Sequence, residues 1–307
     1  MPYPIDQKLV VAVSSTALFD LQEADIVYRT AGLDAFLEYQ EQNRSNPPAA
    51  GAAFPFIQRL LGLNEIYSEE QPVEVVILSR NHPKASLRVM DAVEHYGLNI
   101  TRASFTAGDP PYPYMQATKA VLYLSTDREE VREAVENGYP AGHVLPHSAI
   151  PDDDDKQLRI AFDFDGVIVD DEAEKVYADG DLPLFHHHEK LKREQPLNSG
   201  PMFPLLKKIS DLQKLEATKP YGTNNPEKHV RVAILTARNA PAHERLITTL
   251  ENYDIQTDEL FLTGGIEKKN YLDILKPQIF FDDQLGHLEP ASKDTPCVHV
   301  PFGVRNV

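Results

Sequence analysis

The chain carries an internal repeat, and this feature limits the folds it can adopt more than any other. At a shift of 149 positions the first half matches the second without a gap, and after an insertion near 218–228 a shift of 157 positions takes over. The residues that bound the two registers are Ala12 with Ala161, Pro55 with Pro204, Val73 with Val230, and Tyr114 with Tyr271. Two long registers that cover both halves predict a tandem duplication.

The boundary between the halves is predicted at the acidic segment 151–156. A proline followed by four aspartates stays solvated because like charges repel, which is typical of a linker. The 307 residues are enough for two units of about 150 residues each. The sequence therefore predicts two domains, a first half at 1–150 and a second half at 157–307.

Each half has the pattern of an α/β unit. In the second half, Leu158–Phe162, Val230–Leu235 and Gln278–Phe281 are short apolar or β-branched runs that suit buried parallel strands. The segment Pro241–Tyr253 has the apolar spacing of a helix. Strands that alternate with helices predict a doubly wound, Rossmann-type parallel sheet, whose ligand site lies beyond the carboxyl ends of the strands.

Polar residues stand at these three strand ends. The residues that follow or end the strands are Asp163, Asp165, Thr236, Ala237, Arg238, Asp282 and Asp283, and Lys268-Lys269 opens the helix before the third strand. Any single acidic pair could be a solvated turn, but three successive strand ends indicate a site. Carboxylates that meet at one edge repel one another and require a cation, and oxygen ligands favour Mg²⁺.

Four ordered motifs resemble those of the haloacid dehalogenase superfamily of phosphotransferases. They are Asp163–Val167, Leu235–Arg238, Lys268 and Phe280–Asp283. A closer resemblance, to the cytosolic type I 5′-nucleotidases, covers nearly the whole chain. It rests on 12–15, 18–20, Asn81-His82, 95–98, Gly200-Pro201, 279–284 and 299–304. The strand-end segment reads Asp-Phe-Asp-Gly-Val where that family has Asp-Gly-Asp-Ala-Val, so the preferred nucleobase is left open.

Residue chemistry and resemblance imply the same reaction, Mg²⁺-dependent hydrolysis of nucleoside 5′-monophosphates. Asp163 would attack phosphorus to form an aspartyl-phosphate, and Asp165 would protonate the leaving ribose oxygen and then deprotonate water. Thr236 and Lys268 would bind the phosphoryl oxygens. The predicted metal ligands are Asp163, the backbone carbonyl of Asp165, Asp282 and, in support, Asp283.

Gly166, Ala237 and Arg238 are the predicted substrate contacts. Gly166 would let the chain turn early enough to bring Asp165 round from the other face of the strand. Two alternatives stay open at this point. Lys269 could take the place of Lys268, and Arg238 could be a surface arginine that caps a loop.

The segment at about 171–229 is predicted to be a helical cap that closes over the site and contacts the nucleoside. It holds nine basic and ten acidic residues, so it is nearly neutral and suits an anionic substrate. The run His186–His188 suggests a metal site, but consecutive helical residues point in different directions, which favours a solvated or substrate-facing role.

The first half lacks every catalytic group. Its residues at the positions of Asp163, Asp165, Thr236, Lys268, Asp282 and Asp283 are Ser14, Thr16, Ser79, Pro111, Ser125 and Thr126. We expect a non-catalytic copy that serves as a scaffold, with binding of a nucleotide effector as the less favoured alternative. The alternative functions for the whole chain are a phosphatase for other small molecules, such as sugar phosphates, and a nucleotide-binding regulator with vestigial catalysis.

Composition limits the partners. With 47 acidic and 30 basic residues the net charge is −17, which disfavours binding to nucleic acid or to an anionic membrane. A single cysteine, Cys297, forms no internal disulfide, and the start of the chain lacks the pattern of a secretion signal. We expect a cytoplasmic protein, and a homo-oligomer is left open.

Overall fold

The computed structural model describes residues 3–148, 155–218 and 228–306. The predicted linker at 151–156 lies mostly outside the described residues, as does most of the insertion near 218–228. In the described parts, ten strands form one sheet, and twelve α-helices accompany it. The predicted α/β class is confirmed.

The strands fall into two groups of five. The first group is β1 (Leu9–Val13), β2 (Val73–Ser79), β3 (Arg102–Phe105), β4 (Leu122–Ser125) and β5 (Ala141–Val144). The second group is β6 (Leu158–Phe162), β7 (Val230–Thr236), β8 (Glu259–Leu262), β9 (Ile279–Asp282) and β10 (Cys297–His299). Across the sheet they stand in the order β3-β2-β1-β4-β5-β10-β9-β6-β7-β8. The strand order of the first group therefore recurs, reversed in space, in the second.

The two groups meet at an antiparallel junction. All pairs within each group are parallel, whereas β10 runs antiparallel to β5. The carboxyl ends of β1, β2 and β4 therefore lie at the opposite edge of the sheet from those of β6, β7 and β9. The sheet is mostly parallel, as predicted. The sequence did not predict that one sheet would run through both halves.

Two contacts near this junction join residues at matching places in the two halves, since His143 lies beside Ser125 and His299 beside Asp282 in the sheet. His143 of β5 is paired in register with His299 of β10. On a helix-covered face, the Tyr67 hydroxyl donates to Glu216 Oε1 at 2.9 Å, and these residues are 149 positions apart. Contacts between equivalent residues are those expected around a local two-fold axis.

Helices cover both faces of the sheet. The first half contains α1 (Ser15–Leu18), α2 (Gln22–Gln42), α3 (Phe54–Ile66), α4 (Ser86–His95), α5 (Met115–Thr118) and α6 (Arg128–Glu136). The second half contains α7 (Glu172–Asp179), α8 (Leu182–Leu191), α9 (Phe203–Thr218), α10 (His243–Asn252), α11 (Lys268–Leu275) and α12 (Leu285–Leu288). Among the described helices, none has both the length and the apolar character needed to cross a membrane.

The apolar cores divide by face. One large core lies under α3, α4, α9 and α10 and runs through both halves. Two smaller cores lie on the other face, one under α5 and α6 and one under α11 and α12. Because strand β1 is buried on both faces, both of its alternating sets of side chains are apolar, as in other sheets covered by helices, and β6 departs from this pattern only at Arg159.

The segment at 171–229 divides into two structural parts. Helix α9 packs into the large core through Leu205, Leu206, Ile209 and Leu212. Helices α7 and α8 contribute little to that core and contact the strand-end residues instead, as described below. Among the helices described in this segment, α7 and α8 are therefore the ones that could close over a site.

Candidate active site

Three neighbouring strands bring the predicted site residues to one edge of the sheet. Strand β6 lies between β7 and β9 and is parallel to both. Asp163 follows β6 directly, Thr236 ends β7, and Asp282 ends β9. The residues directly before that point are buried and apolar in all three strands, so the change from apolar to polar residues occurs at the same edge of the sheet.

Lys268 joins two of the carboxylates. Its Nζ lies 2.8 Å from Asp163 Oδ2 and 2.6 Å from Asp282 Oδ2, and each of the three side chains is at most 5% exposed. Burial raises the pKa of Asp163 to about 7, against the lowering effect of Lys268. Burial also opposes ionisation of Asp282, but Lys268 and His287 hold its pKa below the ordinary value. One lysine shared by two carboxylates leaves the cluster electronegative.

A third carboxylate, Asp283, lies beside them without a cation. It is completely buried, and neither side-chain oxygen has a hydrogen-bond partner among the described residues. Burial, together with Asp163 and Asp282, raises the pKa of Asp283 to about 10. Unpaired buried carboxylate oxygens in an oxygen-rich cluster are suited to Mg²⁺, so the residues present fit the predicted metal.

Gly166 is required where it stands. Its φ of +72° lies in the left-handed region, and a Cβ built on it would lie 2.9 Å from Cγ and Oδ2 of Asp283. A side chain at this position would therefore displace Asp283. The turn after β6 and the third carboxylate fit together only with glycine.

His287 belongs to this cluster and was not predicted. Its Nδ1 lies 3.2 Å and 3.3 Å from the two oxygens of Asp282. Asp163, Asp282 and His287 each present one ligand atom within 4.8 Å of the others, in the described residues. The sequence signal was its position four residues after Asp283, because the short helix α12 turns the chain back towards the strand end.

Substitution of Asp283 tests whether this carboxylate is held for a cation. The pKa of Asp283 is raised in the folded state, so between pH about 4 and 10 the unfolded chain loses a proton that the folded protein keeps. The free energy of unfolding should therefore fall as the pH rises across this range. We expect Asp283→Asn to raise the free energy of unfolding of the metal-free protein by about 1–3 kcal/mol at neutral pH. The same change should reduce the stabilisation by added Mg²⁺. Urea unfolding with and without Mg²⁺ measures both, and a less stable metal-free variant would contradict the expectation.

Arg238, a predicted substrate contact, is buried against Asp165. Its guanidinium is 2% exposed and binds the Asp165 carboxylate through two hydrogen bonds, Nε to Oδ2 at 2.7 Å and Nη2 to Oδ1 at 2.6 Å. It also donates to Glu189 and to the carbonyl oxygen of Ala242. The alternative of a surface arginine does not describe it, because it is buried.

The remaining predicted residues lie as follows. Thr236 is buried, and its hydroxyl accepts a hydrogen bond from the backbone N–H of Arg238 at 3.2 Å. Ala237 is exposed at the same strand end. Lys269, the alternative to Lys268, pairs with Asp273 at 2.7 Å and does not join the carboxylate cluster.

Buried ion pairs extend from Arg238 to α7 and α8, and the sequence did not reveal them. Arg245 on α10 donates to Glu189 at 2.9 Å and to Glu172 at 3.2 Å. Of the predicted histidine run, His186 Nε2 is 2.7 Å from Asn239 Oδ1, just after Arg238. The one sequence feature that pointed to these ion pairs was the match between Arg245 and Arg88 in the repeat.

The equivalent edge of the first half is occupied by its own hydrogen bonds. Ser15 and Ser79 are joined through their hydroxyls at 2.8 Å, and Thr126 donates to Thr16 at 2.9 Å. Glu130, at the repeat position of His287, accepts from Tyr123 and from Ser125, each at 2.8 Å. The described residues at this edge thus satisfy one another and supply no cluster of carboxylates like that around Lys268.

Fold and site together define an α/β protein with a carboxylate–lysine centre at the carboxyl edge of a parallel sheet. The chain belongs to the 5′-nucleotidase family, a family of phosphoric monoester hydrolases, whose model matches residues 1–307. This confirms the resemblance derived from the sequence motifs.

One curated relative is human cytosolic 5′-nucleotidase 1B, which is 32% identical over 300 residues. The match covers 95% of this chain and 49% of the relative, so the chain spans about half the length of that protein. A chain from the RNA repair complex Pnkp1/Rnl/Hen1 aligns over 97% of this chain and 96% of its own length. Its identity is 13% and its TM-score 0.30, too low to bear on the fold.

Proposed function

We propose that this protein is a Mg²⁺-dependent 5′-nucleotidase that hydrolyses nucleoside 5′-monophosphates to nucleoside and phosphate. The observation that carries the proposal is the buried cluster of Asp163, Lys268 and Asp282 with the unpaired Asp283 beside it. Membership of the 5′-nucleotidase family supports the reaction class, and the name of the human relative supports a cytosolic location.

In the proposed reaction Asp163 is the nucleophile. One of its oxygens bonds to phosphorus while the bond from phosphorus to the ribose 5′-oxygen breaks, and Asp165 gives that oxygen a proton. Asp165 then takes a proton from the water that attacks the aspartyl-phosphate, which releases phosphate and restores Asp163. Asp165 therefore changes role from acid to base between the two steps.

Other residues hold charge in place. Lys268 and the Thr236 hydroxyl would bind the phosphoryl oxygens. Asp163, the backbone carbonyl of Asp165, Asp282 and Asp283 would hold Mg²⁺. When bound, the metal neutralises charge on the phosphate. Gly166 allows the close approach of Asp283 to the turn after β6.

We propose that the chain consists of two tandem haloacid dehalogenase-like halves. The repeated strand order supports this division, with a non-catalytic half at 1–150 and a catalytic half at 157–307. Within the second half, α7 and α8 are the proposed cap, since Glu189 on α8 pairs with the strand-end Arg238 and Glu172 on α7 pairs with Arg245. The internally bonded edge of the first half favours a scaffold over an effector site.

A phosphate-release screen tests the function. We expect release from nucleoside monophosphates in Mg²⁺, loss of activity in EDTA and recovery when Mg²⁺ is restored. Sugar phosphates at the same concentration serve as the competing substrates. Preferential release from sugar phosphates would replace the proposed substrate class, and full activity after exhaustive chelation would overturn the metal site.

A further inference from the structure

Arg238 is held on all sides in a way that suits a positioning role. Two of its nitrogens bind the two oxygens of Asp165, which fixes the plane of that carboxylate as well as its position. The guanidinium carbon lies 5.2 Å from the ring centre of Phe164 and 5.6 Å from that of Phe185, on α8. With further bonds to Glu189 and to Ala242, Arg238 keeps little donor capacity for a phosphate.

A chain of alternating charges continues from Arg238 to the proposed cap. Glu189 on α8 is completely buried between Arg238 and Arg245, and Arg245 reaches Glu172 at the start of α7. Lys192 also binds Glu172 at 2.6 Å. Buried charges cost free energy unless each is paired, so these residues can only move together. The orientation of Asp165 is thus tied to α7 and α8.

The first half provides an internal comparison for this arrangement. There, Arg88 Nη1 donates to Gln40 Oε1 at 3.1 Å and Arg88 Nε to the carbonyl oxygen of Asn46 at 3.2 Å. In the second half Arg245 makes the equivalent bonds, to Glu189 and to the carbonyl oxygen of Gln195, both at 2.9 Å. The fold therefore needs the arginine and a hydrogen-bonding side chain opposite it.

The comparison also shows what the fold does not need. In the repeat, Gln40 is equivalent to Glu189, Asn81 to Arg238 and Thr16 to Asp165. The negative charge on α8 and the guanidinium at the end of β7 therefore occur in the half that has a carboxylate to orient. The first half has no charge at Gln40, and the arginine that follows its strand β2, Arg80, pairs instead with Glu130 and Glu133 on α6.

We infer that Arg238 is a positioning residue, which orients the Asp165 carboxylate for proton transfer and couples it through Glu189 to helix α8. The inference rests on the proposed function and deepens it. Arg238 would act on the step that needs a proton donor and would contribute little to binding of the nucleotide or to attack by Asp163.

The double variant Arg238→Asn with Glu189→Gln tests this inference. A single Arg238→Asn change leaves Glu189 with less compensation and could fail to fold, whereas the double change installs the residues that the first half already accommodates. The control is Arg88→Gln in the first half, which removes a buried arginine whose contacts match those of Arg245 but which lies far from the catalytic edge. Melting temperatures establish that each variant is folded.

The measurement compares two substrates with the same nucleoside. One is the nucleoside 5′-monophosphate, and the other is its 5′-deoxy-5′-thio analogue, in which sulfur links the nucleoside to phosphorus. A thiol of pKa about 8.5 can leave as the thiolate, whereas the ribose oxygen needs a proton as it leaves. We expect the double variant to lose about 10²-fold in kcat for the monophosphate with little change in KM. The initial burst of thiol release should change by less than about 3-fold.

Four outcomes would overturn the inference. If the thiol burst slows as much as monophosphate turnover, or if KM rises while kcat is retained, Arg238 acts on phosphate binding. If Arg88→Gln produces the same split between substrates, the effect is structural. If the wild type releases neither phosphate nor thiol in Mg²⁺, the proposed function fails and the inference with it. An active wild type with equal losses on both substrates overturns the inference alone.

Discussion

Replacement of Asp163 by asparagine is expected to reduce turnover of nucleoside monophosphates by on the order of 10⁴-fold or more, because it removes the nucleophile. The protein should remain folded. Burial already raises the pKa of Asp163 to about 7, so loss of its charge costs the folded state little. Lys268 keeps Asp282 as a partner. The loss of turnover would therefore come from the missing nucleophile and not from unfolding.

Asp165→Asn is the matched variant for this prediction. It keeps the nucleophile but lacks the proton donor and base, so it should bind substrate and turn over very slowly. Acid quenching with a radiolabelled 5′-deoxy-5′-thio substrate, whose thiol leaves without protonation, should trap phosphate on Asp165→Asn protein and none on Asp163→Asn protein. Wild-type turnover by Asp163→Asn, or labelled protein from it, would remove Asp163 from the mechanism.

The second large effect is expected on stability. Lys268 is buried between Asp163 and Asp282, which raise its pKa against the effect of burial. Lys268→Met would leave two neighbouring buried carboxylates without their shared cation. Breaking a buried pair in this way costs about 3–5 kcal/mol. We expect that loss in urea unfolding of the metal-free protein, and partial recovery in Mg²⁺, which would take over part of the compensation.

Lys269→Met is the control for this measurement. The side chain is adjacent in sequence, but it pairs with Asp273, a carboxylate that is 47% exposed. Exposed pairs contribute at most about 1 kcal/mol, so the control should change stability little and respond to Mg²⁺ as the wild type does. Equal losses for the two lysines would contradict the central place of Lys268.

The sequence predicted the site residues that end or follow strands and missed those that reach it from elsewhere. Asp163, Thr236 and Asp282 could be found because parallel strands end at the same edge, a rule that needs no knowledge of side-chain packing. His287 and Glu189 could not, since each contacts the site only after a separate helix is docked. The partner of Arg238 depends on side-chain orientation, which sequence spacing does not determine.

The same distinction applies to the fold. Apolar runs predicted β6, β7 and β9 to within a residue at either end. They gave no indication that β5 and β10 would pair, because both are short strands whose partner is set by how the two groups dock. The repeat predicted two similar units, and the structure joins their strands into one sheet.

That antiparallel junction has a kinetic consequence. A ligand held near Ser14 and Ser79 would be separated from Asp163 by the full length of the strands, so it could not compete with substrate for space. One route for its influence is β10, where His299 is paired with Asp282 and contacts the carbonyl oxygen of Asp283 at 3.0 Å. Such a ligand would change KM or kcat without occupying the substrate site.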